Sequence, residues 1–263
     1  MPMIPQHREP GVSEPPAKKR GAWLPTAAAA ILGAVVGFQW VMHPQRGWLA
    51  DGIGSWAVRN GWTSAGAADA FGQAFHHNID RLLPGIAVYL AFGLYWWIAS
   101  TNRAEDSAPE SFGSSAIHKL LVNLSLLLIC VPVPGLMQRM LPSTPLWLII
   151  GLAIEVGGAA LAIAARRALG RNWSREVRIA VGHELVRTGP YARIRHPIYT
   201  GAICVSLGLA LESGLLSAFV GLALLLLAYA RKITLEERLL KHAFGESFDQ
   251  YRARSWALVP FIL

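Results

Sequence analysis

The sequence predicts an all-α fold: a polytopic helical bundle of about five to six membrane spans, with its C-terminal region on the cytoplasmic side. Three observations predict it. Of 263 residues, 53% are apolar and only 15% charged, whereas a soluble domain carries about 25% charged residues. Mean hydropathy is +0.37. Apolar runs approach twenty residues, the length that crosses the hydrocarbon core of a bilayer.

Residues 1–22 are polar and Pro-rich and end in Lys18, Lys19 and Arg20. They cannot build a core and are expected to be a disordered tail. Residues 23–165 are expected to form a membrane region of four helices. The first is Trp23 to Met42, too long for the apolar part of a signal peptide. Residues 43–80 break the pattern with Gly, Trp and scattered charge, which suits helices lying at the interface. Leu83 to Ser100 reads as the second span and Thr101 to Ser115 as a polar loop. Ile117 to Met137, interrupted late by Pro132 and Pro134, reads as the third span. Pro145 to Ala165 is the fourth.

Residues 166–263 are expected to form a second region. It opens on a basic block: between Arg166 and Tyr199 stand eight arginines and two acids, Glu176 and Glu184. The block is bracketed by apolar spans and accompanied by no nucleic-acid fold signature, so nucleic acid is not an expected partner. Lipid headgroups or an anionic ligand suit it better. Tyr199 to Leu211 and Leu215 to Ala230 then read as a membrane hairpin within 199–230, crossing the bilayer partly or fully. Lysines and arginines at residues 18–20, 166–178 and 231–238 fall on one side under this topology, the cytoplasmic one. Cys130 and Cys204 both lie in apolar runs and allow no disulfide framework or CxxC metal site. His76 and His77 are adjacent and cannot share one helix face, so no metal is expected there.

Two stretches carry chemistry. The first runs from His183 to Gly201. Gly189-Pro190 marks a turn. His196-Pro197 disfavours helix at His196 and starts one at Pro197, which points backbone N–H groups at a ligand. Gly201 permits close approach of another backbone or of a ligand. The second stretch is Arg231-Lys232-Ile-Thr-Leu-Glu236-Glu237-Arg238. At helical spacing Lys232 and Glu236 share a face, as do Glu237 and Lys241. Ordinary i,i+4 ion pairs on a solvated helix end would account for that spacing. Two adjacent acids at the edge of a bilayer ask for a further reason.

Together these motifs resemble the isoprenylcysteine carboxyl methyltransferase family and the related phospholipid methyltransferases. The resemblance rests on Gly-Pro-Tyr at 189–191, Arg-His-Pro-x-Tyr-x-Gly at 195–201, Glu236-Glu237, Phe244-Gly245, Tyr251 and Leu258-Val-Pro-Phe261. It covers about the last 95 residues, in that order of motifs. It implies an integral membrane methyltransferase that binds S-adenosyl-L-methionine. The acceptor would be lipophilic or small, an isoprenylcysteine-type carboxylate first, a phospholipid amine or small thiol otherwise. Membrane lipids would be its partners and a bacterial inner membrane its expected location, with the site facing the cytoplasm. By matching position, His183, Glu184, Leu185, Val186, Tyr191, His196, Pro197, Ile198, Tyr199, Glu236 and Glu237 would bind the cofactor. His196, Arg195 and either Arg231 or Lys232 would carry the reaction. Lys232 stands where the family usually places an arginine, so the functional cation is open between these two. Sterol and steroid reductases are similar around Arg-His-Pro-x-Tyr-x-Gly, which makes an NADPH-dependent membrane reductase the alternative. They commonly place an acid after that glycine, where this chain has Ala202.

Overall fold

The computed structural model describes residues 55–61, 63–99, 112–170 and 185–259. The expectations for residues 1–54, for most of the loop at 101–115, for the basic block at 171–184 and for residues 260–263 lie outside these. The described residues are helical: α1 Ala65–Ala99, α2 Phe112–Cys130, α3 Pro145–Leu169, α4 Pro197–Ser213, α5 Leu216–Phe244 and α6 Glu246–Arg252, with a 3-10 turn at Gly189–Ala192 before α4. Among them α1, α3 and α5 are long and apolar enough to cross a membrane. Two shorter apolar helical stretches, Ala116–Cys130 and Pro197–Ser213, accompany them. The all-helical membrane bundle expected from the sequence is borne out, with three of the expected five to six spans as candidates among the described residues.

Several boundaries differ from the sequence reading: α2 begins at Phe112, inside the expected loop, α5 runs on to Phe244, and two further differences have a visible cause. Residues 65–80 continue into the following span as one helix, with Pro84 inside it. The inward face explains this. Asn78, Leu82, Gly85, Ile86 and Tyr89 recur at helical spacing on the packed side, so one register runs through the segment. The helix expected to reach Met137 instead ends at Cys130. Pro132 disfavours helical backbone at Val131, and Gly135 turns the chain at φ 85°. The residues that follow cover the hairpin tip. Met140 N–H donates to Gly214 O at 2.8 Å, Leu216 N–H to Gln138 O at 2.8 Å and Ser217 N–H to Leu136 O at 3.0 Å.

Helices α3 and α4 pack closely because glycines face each other across the crossing. A Cβ at Gly158 would lie 2.7 Å from Gly201 O and 2.6 Å from Cys204 Cβ, so neither helix has room for a side chain there. In a bilayer, where burial against lipid gives little gain, such small-residue contact is what brings helices together. The same crossing carries two acids. Glu155 of α3 fits the space left by Gly208, and Glu212 of α4 fits the space left by Gly151. Both carboxyls are fully buried, and among the described residues no hydrogen bond to their oxygens forms by distance and angle, although Glu212 lies against the Gly85 backbone and within the field of Arg81.

Helix α4 ends at Gly214, whose left-handed φ of 66° turns the chain into α5. Arginines satisfy the carbonyls exposed at that end. Arg81 Nε donates to Glu212 O at 3.0 Å and Arg139 Nη2 to Ser213 O at 3.2 Å. Beneath them Ser213 Oγ donates to Asn78 Oδ1 at 2.9 Å, and Asn78 Nδ2 to Cys130 O at 3.1 Å. At the far end of the hairpin, α5 turns polar from Arg231 onward. That end carries the candidate site.

Candidate functional site at the polar end of the hairpin

Pro197 opens α4 at its first position and His196 is the N-cap, with φ −123° and ψ 56°. Pro fits there because its missing N–H would be unsatisfied anyway. The chain before it pairs with the C-terminal tail. Arg195 N–H donates to Trp256 O at 2.8 Å, His196 N–H to Ala257 O at 3.0 Å, and Trp256 N–H to Arg193 O at 2.9 Å. Thr200 Oγ1 adds a bond to Leu258 O at 2.8 Å. The 3-10 turn is held by Tyr251 Oη, which donates to Tyr191 O at 2.7 Å. Tyr191 and Tyr251 are both buried.

Side chains from α4 and α5 meet across this platform. Glu236 accepts from Tyr199 Oη at 2.7 Å and lies 3.7 Å from His196 Nδ1. His196 Nε2 reaches Glu237 Oε1 at 3.3 Å. The His196 and Tyr199 rings stack at 5.5 Å and 8°, and the Tyr229 ring lies tilted by 30° at 5.1 Å from Tyr199. Lys232 Nζ sits 5.6 Å from the Tyr199 ring centre, a cation–π distance. Glu236 retains 33% side-chain exposure, against 15% for Glu237 and 3% for His196. Of the three, Glu236 therefore has the most room to receive a ligand.

Arg195 is enclosed by acceptors. Its Nε donates to Glu237 Oε1 at 2.8 Å and its Nη1 to Arg252 O at 3.2 Å and to Ser255 O. Arg252 Nε lies 3.8 Å from the other Glu237 oxygen. The apolar part of α5 ends at Ala230, so this cluster lies beyond it. Burial pushes the Glu237 carboxyl up, but hydrogen bonds from His196 and Arg195, together with their charge, outweigh burial and hold it at about 2. Burial pushes the Tyr191 phenol up, with Glu236 and Tyr251 adding to the rise. The Tyr251 phenol goes up to about 12, burial outweighing the opposing charges of Arg195 and Arg187.

Of the residues singled out in the sequence, Tyr191, Arg195, His196, Tyr199, Lys232, Glu236 and Glu237 come together here. Pro197 and Ile198 form the first turn of α4, one buried and one half-buried. Leu185 and Val186 lie half-buried ahead of the 3-10 turn, and Arg231 is half-buried beside Lys232. His183 and Glu184 lie outside the described residues. Glu237 and Lys241 do not pair with each other. Lys241 turns to Asp249 at 2.8 Å and Glu237 to Arg195. The sequence reading did not single out Tyr229, Ser255 or the carbonyls of residues 252–258. Tyr229 had one available cue, its place seven residues before Glu236 on the same helix. Backbone carbonyls have no signature in sequence.

Fold and site together define a helical membrane protein with a polar side-chain cluster where a hairpin leaves its apolar stretch. Residues 149–242 match the model of the Isoprenylcysteine carboxyl methyltransferase (ICMT) family. That stretch contains the crossing, the hairpin and all four of Glu155, Glu212, Glu236 and Glu237. A Protein-S-isoprenylcysteine O-methyltransferase of Schizosaccharomyces pombe is 38% identical over 84 residues, 30% of this chain and 34% of that protein. The Nickel-cobalt-cadmium resistance protein NccN of Alcaligenes xylosoxydans xylosoxydans is 43% identical over 82 residues, 29% of this chain and 36% of that protein. The chain thus spans about a third of the length of these two curated relatives. A solved structure of the eukaryotic intramembrane Ras methyltransferase ICMT is similar over 90% of this chain and 94% of its own, at 17% identity and a TM-score of 0.46.

Proposed function

We propose that the protein is an integral membrane methyltransferase that uses S-adenosyl-L-methionine, with its site on the cytoplasmic side of a bacterial inner membrane. One observation carries this reading. Glu236, Tyr199, His196 and Tyr191 converge where the hairpin leaves its apolar layer, and Glu236 stays partly open there. The donor set fits the cofactor. Glu236 can accept from an ammonium or from ribose hydroxyls, and charge-assisted contacts of this kind are the strong ones. The Tyr191 and Tyr199 rings offer aromatic surface to an adenine. Lys232 and Arg231 supply the cation for a carboxylate, of the cofactor or of the acceptor. When bound, the cofactor would supply a methyl group on a positively charged sulfur.

The chain's own task is alignment and exclusion of water. Holding reactants in line contributes about 7–11 kcal/mol to a displacement of this type. The parallel His196 and Tyr199 rings, and the tail paired to residues 193–196, fix the floor of the site. An isoprenylcysteine-type carboxylate is the favoured acceptor, because it arrives ionised and needs no base. Its lipid part would reach the site from the bilayer beside α4 and α5. A small thiol or a phospholipid amine would need His196 to take a proton.

The test uses the full chain in detergent. Calorimetric titration with S-adenosylmethionine and, separately, NADPH should give binding of the first alone. Glu236→Ala should weaken it by roughly tenfold or more, the loss of one charge-assisted contact. Equal affinity in that variant, or binding of NADPH instead, overturns the reading. Labelled methyl offered to prenylcysteine analogues, a lipid extract and a thiol panel then identifies the acceptor.

A further inference from the structure

Glu236 and Glu237 are neighbours in sequence and keep different company in space. Glu236 faces Tyr199 and the open side, with 33% of its side chain exposed. Glu237 is turned into protein. One oxygen receives Arg195 Nε at 2.8 Å and His196 Nε2 at 3.3 Å, and the other lies 3.8 Å from Arg252 Nε. Arg195 in turn holds the carbonyls of Arg252 and Ser255, so the tail that pairs with His196 is tied to the same carboxylate.

We propose that Glu237 is a positioning residue that acts through His196, leaving Glu236 as the member of the acidic pair presented to the ligand. An ionised carboxylate only accepts hydrogen bonds, so the contact requires a proton on His196 Nε2. That leaves Nδ1 facing Glu236 Oε2 at 3.7 Å and fixes the ring plane parallel to Tyr199. A carboxylate that sets the orientation and tautomer of a working histidine is a common arrangement at reactive sites. Arg195 positions Glu237 rather than meeting the ligand, since Glu237 and the tail carbonyls take its Nε and Nη1 donors and only 9% of its side chain is exposed. The part of this inference that assigns Glu236 to a ligand rests on the methyltransferase reading. The part that concerns Glu237 and His196 does not.

Two measurements on the full chain in detergent test it. The first is a long-range proton–nitrogen NMR spectrum of histidine-labelled protein, with the His196 signals assigned by their loss in His196→Gln. The wild type should show a protonated Nε2, Glu237→Gln should shift that pattern, and Glu236→Gln should leave Nε2 protonated. An unchanged His196 pattern in Glu237→Gln overturns the proposal. The second is S-adenosylmethionine affinity in a cycle. Glu237→Gln should weaken binding roughly tenfold in the wild-type background and less than about twofold in a His196→Gln background. An equal loss in both backgrounds overturns the proposal, because Glu237 would then act without His196. Should Glu237→Gln not fold, Arg195→Lys and Arg195→Gln replace it in both measurements. Lysine, which keeps the charge but not the fork, should retain more of the wild-type behaviour. Failure of the wild type to bind the cofactor defeats the methyltransferase reading alone, and the NMR result still decides the role of Glu237.

Discussion

The molecule holds two pairs of glutamates, and they are treated in opposite ways. At the polar end, Glu236 and Glu237 are adjacent in sequence and are supplied with Tyr199, His196, Arg195 and Arg252. At the α3–α4 crossing, Glu155 and Glu212 come from different helices, are fully buried and sit against glycines, with no side-chain donor bonded to them among the described residues. A buried ion pair contributes little net stability when intact, but losing one partner leaves a stranded charge. Glu155, which has no hydrogen-bond donor among the described residues, has no such partner to lose. The first pair is therefore sensitive to its surroundings, and the second is sensitive to the space it fills.

The largest effect should come from breaking the first pair. Arg195→Ala leaves Glu237 and two tail carbonyls short of their donor, and removal of one partner from a buried pair costs about 3–5 kcal/mol. We expect a clear fall in the thermal midpoint and rapid proteolysis of residues 252–259. A midpoint within a degree of wild type would remove the distinction between the pairs.

The size of the glycine notches is the next lever. Gly208→Leu should force α3 and α4 apart, since even a Cβ there meets the backbone of Gly151 and the Glu155 side chain. Overpacking of this kind costs typically 1–3 kcal/mol, read as a lower midpoint. Filling the notch without loss would show that the crossing is looser than its glycines indicate.

A pH series sharpens the comparison. The Glu237 carboxyl is held at about 2 against an ordinary 4.5. Its pKa is depressed on folding, so its contribution is present above about 4.5 and is lost as pH falls from there through about 2. Tail protection against an acid-tolerant protease should accordingly match at pH 7 and pH 5, and vanish only well below 4.5. Loss of protection already at pH 5 would contradict the pairing. The smallest effect is expected from Glu155→Gln. It keeps the shape and removes a buried acid with no donor among the described residues, so the midpoint should hold or rise slightly. A drop like that of Arg195→Ala would reveal a partner for the acid.

Much of this was legible beforehand because it depends on local rules. Pro197 after His196 announced where α4 begins, and Gly201 announced a close approach, which proved to be the backbone of α3 at Gly158. The Glu236-Glu237 pair pointed to the polar end of the hairpin. What sequence could not supply was partnership across distance. Nothing in Glu155 or Gly208 says that one fits the other. The i,i+4 rule offered Lys241 to Glu237, and tertiary contact gave it Arg195 instead. The unbroken α1 was missed because the Gly, Trp and scattered charge of residues 43–80 outweighed a packing face that continued in register.

Helix α5 runs without interruption for 29 residues, from the hairpin turn to Phe244. At 1.5 Å per residue it is a rod of about 43 Å. The height and heading of Glu236 are thus set by a count of residues from Gly214, with no loop in between to absorb an error. One residue inserted after Ala230 would turn that carboxylate by about 100° and raise it about 1.5 Å. The rod is a ruler laid from lipid to water, and changes in its length should be tolerated far less than changes in what covers its apolar surface.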